Sequence, residues 1–591
     1  MLEPGARRRV LLSCAMVTVL MASAGAAGAQ SSPTVEFAAQ GWSDDDRNTF
    51  YTTPQGSHMM PYKWFRALRR LDVDQPFGAD QLERYGYLRN DSPRNVAGLP
   101  VGFVVEGTIE SGQLGMTCAA CHTGQLEYQK DGVTHALRLD GAPASADFQQ
   151  FLTDLTLTAR QTLAQSDRFD RFADAVLGAS HAAAAENELK SKFGDWVATF
   201  GDLMDRSLPR PPQPAWGPGR LDAFGMIFNR VSGLDLGIPG NIRPADAPVS
   251  YPFLWNASRQ DHTQWNGGVP NGLYIQGLAR NTGEVFGVFA EFNPKIRLHV
   301  PRVIDFDDNS ANFAGLQTLE ETIVKLRPPA WPFDLDPQRA AEGKVLFDRH
   351  CGECHAKTEL PQPPHAWVTP VVAVDTDPRA ATNARRQGDP GIYKGALVRP
   401  PSLRRFKNPA TISDILAKSV LGSVMDAAFP PPLSREKSGV WRAIDKDLET
   451  LLPGRDADDV LDASLLKRLK GEIESRLNEM YKPDPASDAA AYESRVLEGI
   501  WATAPYLHNG SVPTLWELLK PPAERMRAFS VGNRVFDQKN VGYMTDQSPS
   551  ANGTYTVDPA NANGNGNLGH DYGTGLSEEE RWAIVEYLKS L

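Results

Sequence analysis

Two copies of the five-residue pattern C-x-x-C-H constrain this chain more than any other feature of its sequence. They occupy residues 118–122 and 351–355 and account for four of the five cysteines. Two thiols about one helical turn apart can bond the two vinyl groups of one porphyrin, and the imidazole that follows then reaches the iron. The pattern therefore predicts two covalently bound haem c groups. The attachment residues are Cys118, Cys121, Cys351 and Cys354, and the proximal iron ligands are His122 and His355.

Disulfides and zinc are the competing interpretations of these cysteines. Two C-x-x-C disulfides would leave the histidine after each pair unexplained. A zinc ion would lack its fourth ligand in each Cys2His set. Haem attachment accounts for every residue of both patterns.

The first 29 residues have the three parts of an export signal. Residues 7–9 are arginines, residues 10–22 are apolar, and residues 27–29 (Ala-Gly-Ala) offer a small-residue cleavage site. The apolar stretch is shorter than the roughly 20 residues of a membrane-spanning helix. We therefore expect cleavage of residues 1–29, a periplasmic or secreted protein, and no stable membrane span after cleavage. Attachment of haem c normally follows export and agrees with this prediction.

Length and charge narrow the class further. The chain has 591 residues, of which 41% are hydrophobic, so it can form one or two large domains. Its formal net charge is −11 and it has no Lys/Arg-rich run, which argues against a nucleic-acid partner. A simple electron carrier does not need a chain of this length.

The spacing of the two histidines indicates two haem domains. They are 233 residues apart (122 to 355), and a proline-rich break at residues 328–332 precedes a helix start at Asp336-Pro337 that leads into the second motif. We therefore predict an N-terminal domain, residues 30–332, with the active-site haem. The C-terminal cytochrome c domain, residues 333–591, would carry an electron-relay haem.

Apolar periodicity predicts a mostly α fold with long loops and little β structure. The two haem motifs predict that this fold consists of two cytochrome c-like haem domains. A capping box at Ser577 and Glu580 begins a final helix. The other segments with helical periodicity are residues 148–165, 169–200, 413–425 and 457–481.

Two further segments, together with the haem motifs, resemble the bacterial di-haem cytochrome c peroxidase superfamily, which includes MauG and the rubber oxygenase RoxA. They are TAPYLHNG at residues 503–510 and GHDYGTGLS at residues 569–577. The likeness covers most of the chain in scattered blocks. It implies that His570 is the second axial ligand of the C-terminal haem, at the position where peroxidases carry a methionine. His508 then matches a histidine that bonds haem propionates or lies between the haems, and it is the alternative ligand.

The segment WNGG at residues 265–268 resembles the WDGR segment of the same superfamily. The resemblance implies that Trp265 lies between the haems as an electron stepping stone. It also places Gln276 and Glu284 where peroxidases carry distal residues. A carboxylate there can move a proton between the two oxygens of peroxide, and Arg280 could stabilise negative charge.

Other interpretations of the distal side remain open at this stage. Phe286, Phe289 and Phe292 follow Glu284 closely and could instead form an apolar pocket for O2, as in RoxA. Trp265, Gln276 and Glu284 could also simply pack a loop. His135 follows His122 by a spacing like that between the axial histidines of resting peroxidases, but its segment has the pattern of an extended strand.

These observations favour an exported di-haem c-type oxidoreductase that uses O2 or H2O2 at the N-terminal haem. The leading hypothesis is a RoxA-like oxygenase that cleaves an apolar alkene such as polyisoprene, or peroxidase-type chemistry on a small organic substrate. One alternative is a peroxidase that reduces H2O2 with electrons from a small periplasmic redox protein. The other is a pure electron-transfer cytochrome with both irons closed.

Overall fold

The computed structural model describes residues 33–360, 366–398, 404–428, 439–451, 470–473, 475, 490–545, 554–556 and 564–591. The predicted signal peptide and most of the predicted helix at 457–481 lie outside the described residues. The helices are α1 Asp44–Thr52, α2 Tyr62–Ala67, α3 Phe148–Ala164, α4 Ser166–Leu177, α5 Ala183–Ser207, α6 Ala223–Phe228, α7 Tyr274–Gly287, α8 Phe313–Ile323, α9 Pro337–His350, α10 Gly352–His355, α11 Arg379–Asn383, α12 Ile412–Ala428, α13 Gly439–Leu451, α14 Leu515–Leu518 and α15 Glu578–Lys589.

The strands are short and numerous. They are β1 Val35–Phe37, β2 Met60–Pro61, β3 Phe103–Glu106, β4 Gln113–Met116, β5 Thr123–Lys130, β6 Val133–Asp140, β7 Arg220–Leu221, β8 Val249–Ser250, β9 His262–Thr263, β10 Val269–Pro270, β11 Lys295–Leu298, β12 Val303–Asp305, β13 Val371–Val372, β14 Gln387–Gly388, β15 Ala410–Thr411, β16 Tyr492–Glu493, β17 Ala528–Ser530, β18 Phe536–Asp537, β19 Gly542–Tyr543 and β20 Thr554–Thr556.

The structure is 41% helical and 15% strand, so the fold is mixed rather than clearly mostly α as the sequence predicts. The main sheet has the order β1-β6-β5, with β5 and β6 antiparallel along their whole lengths and β1 parallel to β6. β5 begins directly after the first haem motif. Many of the other strands have two or three residues and pair with distant segments, so they carry too little alternation to be predicted from the sequence.

The helix predictions hold where the signals are local. α3 covers the predicted segment 148–165 almost completely, and α12 includes 413–425. The predicted segment 169–200 is interrupted at Gly178, where a left-handed φ of +92° separates α4 from α5. The Ser577/Glu580 capping box starts α15 as expected.

The hydrophobic core crosses the predicted domain boundary. One cluster combines Leu126 and Trp255 from the N-terminal side with Trp501 and Ile584 from the C-terminal side. The Trp255 indole N–H also donates to the Glu498 carbonyl at 2.7 Å. The two halves therefore share packed surface, and the boundary at residue 332 stays a prediction. None of the helices in the described ranges combines the length and the hydropathy that crossing a bilayer requires.

Helices α9 and α15 meet at a glycine, and this contact gives a stability prediction. A Cβ added at Gly343 would lie 1.8 Å from the carbonyl oxygen of Ala583, which is backbone and cannot rotate away. We expect Gly343→Ala to lower the free energy of unfolding by about 3 kcal/mol, because this overpacking outweighs the helix-propensity gain of about 1 kcal/mol. Denaturant unfolding measures the change. Gly575→Ala is the control, since nothing lies within 4 Å of the added atom; equal stability of the two variants would contradict the close packing.

Candidate haem sites

The first C-x-x-C-H motif forms a tight turn that fixes its histidine. The Thr117 hydroxyl accepts the Ala119 N–H at the start of the turn, and the His122 N–H donates to the Cys118 carbonyl at 3.0 Å. The His122 Nδ1 lies 2.8 Å from the carbonyl oxygen of Pro252. A carbonyl only accepts, so Nδ1 carries the proton and Nε2 has the free lone pair that a metal requires. Burial lowers the pKa of His122 to about 4, which keeps the ring neutral.

The second motif repeats this geometry. It follows α9, and the His355 N–H donates to the Cys351 carbonyl at 3.0 Å. The His355 Nδ1 lies 2.7 Å from the carbonyl oxygen of Arg495, so Nε2 is again the free nitrogen. Burial lowers the pKa of His355 as well. In both histidines, Nδ1 is hydrogen-bonded to a backbone carbonyl and Nε2 is left for a metal. Metal-bound imidazoles usually have this arrangement.

All four motif cysteines are free thiols. Burial raises the pKa of Cys121 to about 12 and that of Cys351 to about 11. No disulfide joins these four cysteines in the structure, and both pairs are available for thioether bonds.

His570 lies opposite His355. Imidazole nitrogens bind transition metals at about 2.0 Å and lie about 1.1 Å from the ring centroid, so two rings on opposite sides of one metal have centroids about 6.2 Å apart. The centroids of His355 and His570 are 6.3 Å apart. The Arg525 guanidinium donates to the His570 carbonyl at 3.0 Å and to that of Gly569 at 2.9 Å. The pair therefore fits a single iron between its rings.

His508 lies in the same cavity with a different partner. Its ring stacks on Tyr492 at a centroid distance of 3.8 Å, with 15° between the ring planes. Burial lowers its pKa to about 3. The stacking holds the His508 ring against Tyr492, so His355 and His570 are the pair that would hold a haem iron in this cavity.

The cavity that these histidines line has a volume of about 200 Å³. Its wall includes both cysteines of the second motif and the apolar side chains of Phe347, Leu515 and Leu588. The lining is mostly apolar, which suits a large aromatic ring held by a few polar groups.

Trp265 lines this cavity, as Ser250 and Pro252 do. Its indole N–H donates to the Ser250 carbonyl at 2.7 Å, and its own carbonyl accepts the Glu493 N–H at 2.7 Å. Ser250 stands two residues before Pro252, whose carbonyl supports His122. Trp265 is therefore bonded to the segment that supports the first histidine while it lines the cavity of the second.

Glu284 and Arg280, both on α7, lie close to the first motif. Burial is the main cause that raises the pKa of the Cys118 thiol, and the charges of Glu284 and Glu320 add to it. Gln264 Nε2 donates to Glu284 Oε1 at 2.9 Å. Arg280 pairs with Glu320 at 2.7 Å. Glu284 and Gln264, and Arg280 and Glu320, thus form two polar pairs whose acidic members act electrostatically on Cys118.

The pKa of Glu284 is raised, with burial as the main cause. The nearby Arg280 charge and the Gln264 hydrogen bond oppose the shift. A carboxyl group with a raised pKa keeps its proton to a higher pH than an ordinary glutamate does, which suits a general acid–base group.

Other residues considered from the sequence lie elsewhere. The Gln276 side chain accepts the Leu273 N–H at 3.2 Å and so caps the start of its own helix. Phe286 and Phe292 stack at 4.7 Å inside one hydrophobic core, and Phe289 packs on Phe200 in another. His135 lies on β6, stacked on Tyr128, in the extended conformation that its segment predicts.

Sequence reasoning missed the residues that support the site residues through long-range contacts. They are Pro252, Gln264, Glu320 and Arg495. No local pattern distinguishes them, because the contacts of Pro252 and Arg495 with the haem-motif histidines span 130 and 140 residues.

Comparison with known proteins supports the cytochrome character of the C-terminal part. A family described as RoxA-like, cytochrome c-like matches residues 491–530, which include Arg495 and His508. This match indicates a haem c-binding chain of the oxidoreductase type.

Two proteins of Sinorhizobium fredii are similar over long stretches, and both carry the description uncharacterized protein. The protein y4iJ is 31% identical over 602 residues, which cover 93% of this chain and 92% of y4iJ. The protein y4iM is 26% identical over 436 residues, covering 69% of this chain and 80% of y4iM. By the extent of the first similarity, the chain belongs to the same family as y4iJ, and it carries a RoxA-like, cytochrome c-like segment at residues 491–530.

Proposed function

We propose that the protein is an exported di-haem c-type oxidoreductase of the RoxA-like kind, with an oxidant-reactive N-terminal haem and an electron-relay C-terminal haem. One observation carries this proposal. The arrangement of a C-x-x-C-H turn with its histidine Nδ1 bonded to a distant carbonyl occurs twice, at His122 and at His355. Two such sites imply two haem groups.

The two sites differ in the groups that would hold a haem iron together with the motif histidine. The rings of His355 and His570 have centroids 6.3 Å apart, so these two imidazoles would hold the C-terminal haem together. Among the described residues, the ring that packs beside His122 is Tyr251, at 6.0 Å, and no imidazole faces His122 in the way that His570 faces His355. An open position suits chemistry with an oxidant, and a closed one suits electron transfer. This difference supports the assignment of catalysis to the N-terminal site.

A haem at His122, when bound, supplies the iron for reaction with O2 or H2O2. The chain supplies the proton chemistry beside it. Glu284, held by Gln264, takes a proton from one oxygen of the oxidant and returns it to the other, and Arg280 offsets negative charge that develops there. Gln276 acts indirectly, because it caps the start of α7, the helix that carries Arg280 and Glu284.

Trp265 provides the route between the two sites. Its indole is anchored to Ser250, on the segment that supports His122, while its ring lines the cavity of His355. An aromatic side chain in this place shortens the distance over which an electron must move. Under this proposal His508 supports the C-terminal haem from the cavity wall and does not bind the iron.

Two reactions fit this arrangement. The RoxA-like match favours oxidative cleavage of an apolar alkene such as polyisoprene by O2, without external electrons. The Glu284–Gln264 pair favours reduction of H2O2 with electrons from a small periplasmic redox protein. Oxygen uptake with polyisoprene, measured against peroxide-dependent oxidation of a reduced small cytochrome, distinguishes the two. Inertness to both oxidants would leave a pure electron carrier.

Counting haems tests the proposal directly. The protein, produced with its own N-terminal segment in cells that mature c-type cytochromes, is expected to contain two covalent haems by pyridine haemochrome assay. Cys118→Ala/Cys121→Ala and Cys351→Ala/Cys354→Ala form a matched pair, and each should retain one haem because each removes one pair of thioether bonds. A parent protein with fewer than two covalent haems would contradict the proposal.

A further inference from the structure

Arg495 contacts the supports of both proximal histidines. Its backbone carbonyl accepts the His355 Nδ1–H at 2.7 Å. Its guanidinium carbon lies 4.0 Å above the centre of the Phe253 ring. Phe253 directly follows Pro252, whose carbonyl accepts the His122 Nδ1–H at 2.8 Å. Arg495 thus contacts the His355 site through its own carbonyl. It contacts the His122 site through the Phe253 ring, which is next to Pro252.

The guanidinium of Arg495 is buried and held in place. Its side chain is 5% exposed, and Nη2 donates to Gln260 Oε1 at 3.0 Å. The Glu493 carboxylate is 4.0 Å away, and burial raises the pKa of Glu493 to about 7, so this group neutralises the arginine incompletely. Within the described part of the chain, Nε and Nη1 of Arg495 have no hydrogen-bond partner. Such unpaired donors on a buried cation are costly unless a ligand group satisfies them.

The position of this charge is relevant to both sites. Arg495 lines the cavity between His355 and His570. Its guanidinium also lies against the Phe253 ring, next to Pro252, whose carbonyl supports His122. A charge in a region of low dielectric acts over longer distances than it does in water.

We propose that Arg495 is a shared positioning residue that couples the two haem sites, in addition to the route through Trp265. It fixes the His355 ring through its carbonyl and the Pro252–Phe253 support of His122 through its guanidinium, and its charge acts on both irons. Its unpaired N–H groups take a carboxylate in the cavity. This inference rests on the proposed function, because it requires a haem at each motif.

The test is a spectroelectrochemical titration of the fully loaded protein, with each haem identified by its optical and electron paramagnetic resonance signals. A nearby positive charge disfavours the ferric form, so removing it lowers the midpoint potential. We expect Arg495→Met and Arg495→Gln to lower the potentials of both haems. Arg495→Lys, which keeps the charge, should keep both potentials close to those of the parent protein.

Arg525→Met is the matched control. This second buried arginine bonds the carbonyls of Gly569 and His570 and has no described contact with the support of His122. It should change the potential of the C-terminal haem alone. A change in only one potential, or in neither, for the neutral Arg495 variants would overturn the coupling role.

Haem content separates this inference from the proposed function. A parent protein without two covalent haems refutes the proposed function itself. The neutral Arg495 variants could also lose haem. A shared role is supported if they lose it from both sites while the Arg525→Met variant keeps both haems. Loss confined to the C-terminal site, or equal loss in the control, contradicts it.

Discussion

His570→Ala is expected to convert the C-terminal haem from a low-spin to a high-spin or water-ligated form. The reason is the 6.3 Å separation of the His355 and His570 rings, which fits one iron held between two imidazoles. Removing one ring leaves the sixth position open or occupied by water. Optical spectroscopy and electron paramagnetic resonance of the ferric protein measure the change, and the N-terminal haem signal should stay as it is in the parent protein.

Two companion variants make this test specific. His508→Ala, in the same cavity, should keep the low-spin signal, because the ring of His508 stacks on Tyr492. His570→Met should restore a low-spin haem with a higher midpoint potential, since methionine is the weaker donor to ferric iron. A low-spin spectrum unchanged in His570→Ala but lost in His508→Ala would reassign the ligand to His508.

Glu284→Gln is expected to lower kcat/KM for H2O2 by about 10²-fold to 10⁴-fold if the protein acts on peroxide. The amide keeps the size of the side chain but cannot take a proton. Alkene cleavage by O2 does not need this proton transfer, so its rate should change little. Stopped-flow kinetics with peroxide and oxygen uptake with polyisoprene give the two rates for the same variant.

The pH dependence provides a second readout for Glu284. Its raised pKa means that the carboxylate form, which acts as the base, appears only above the usual range of a glutamate. Peroxide turnover should therefore rise with pH through that raised pKa in the parent protein, and this rise should be absent in Glu284→Gln. Glu291→Gln, at an exposed position, is the control and should keep the parent profile. Equal peroxide rates for Glu284→Gln and the parent would remove Glu284 from the mechanism.

Local chemistry in the sequence was enough to predict the main elements around the haem motifs. The C-x-x-C-H turns, the Asp336-Pro337 start of α9 and the Ser577/Glu580 cap of α15 all depend on residues within five positions of one another. The side chains that determine each conformation are present in the same short segment. The resemblance of short segments to the di-haem peroxidase superfamily also pointed to His570, Trp265 and Glu284.

Only the tertiary structure decided how these pieces are combined. The carbonyls of Pro252 and Arg495 that orient His122 and His355, and the Gln264 amide that holds Glu284, are not marked by any local pattern. The short strands were missed for the same reason, since two-residue strands are stabilised by distant partners. The sequence by itself determined where haem can be attached, because thioether chemistry depends on five neighbouring residues. The fold decided which groups support each motif histidine, because those contacts depend on segments brought together from more than a hundred residues apart.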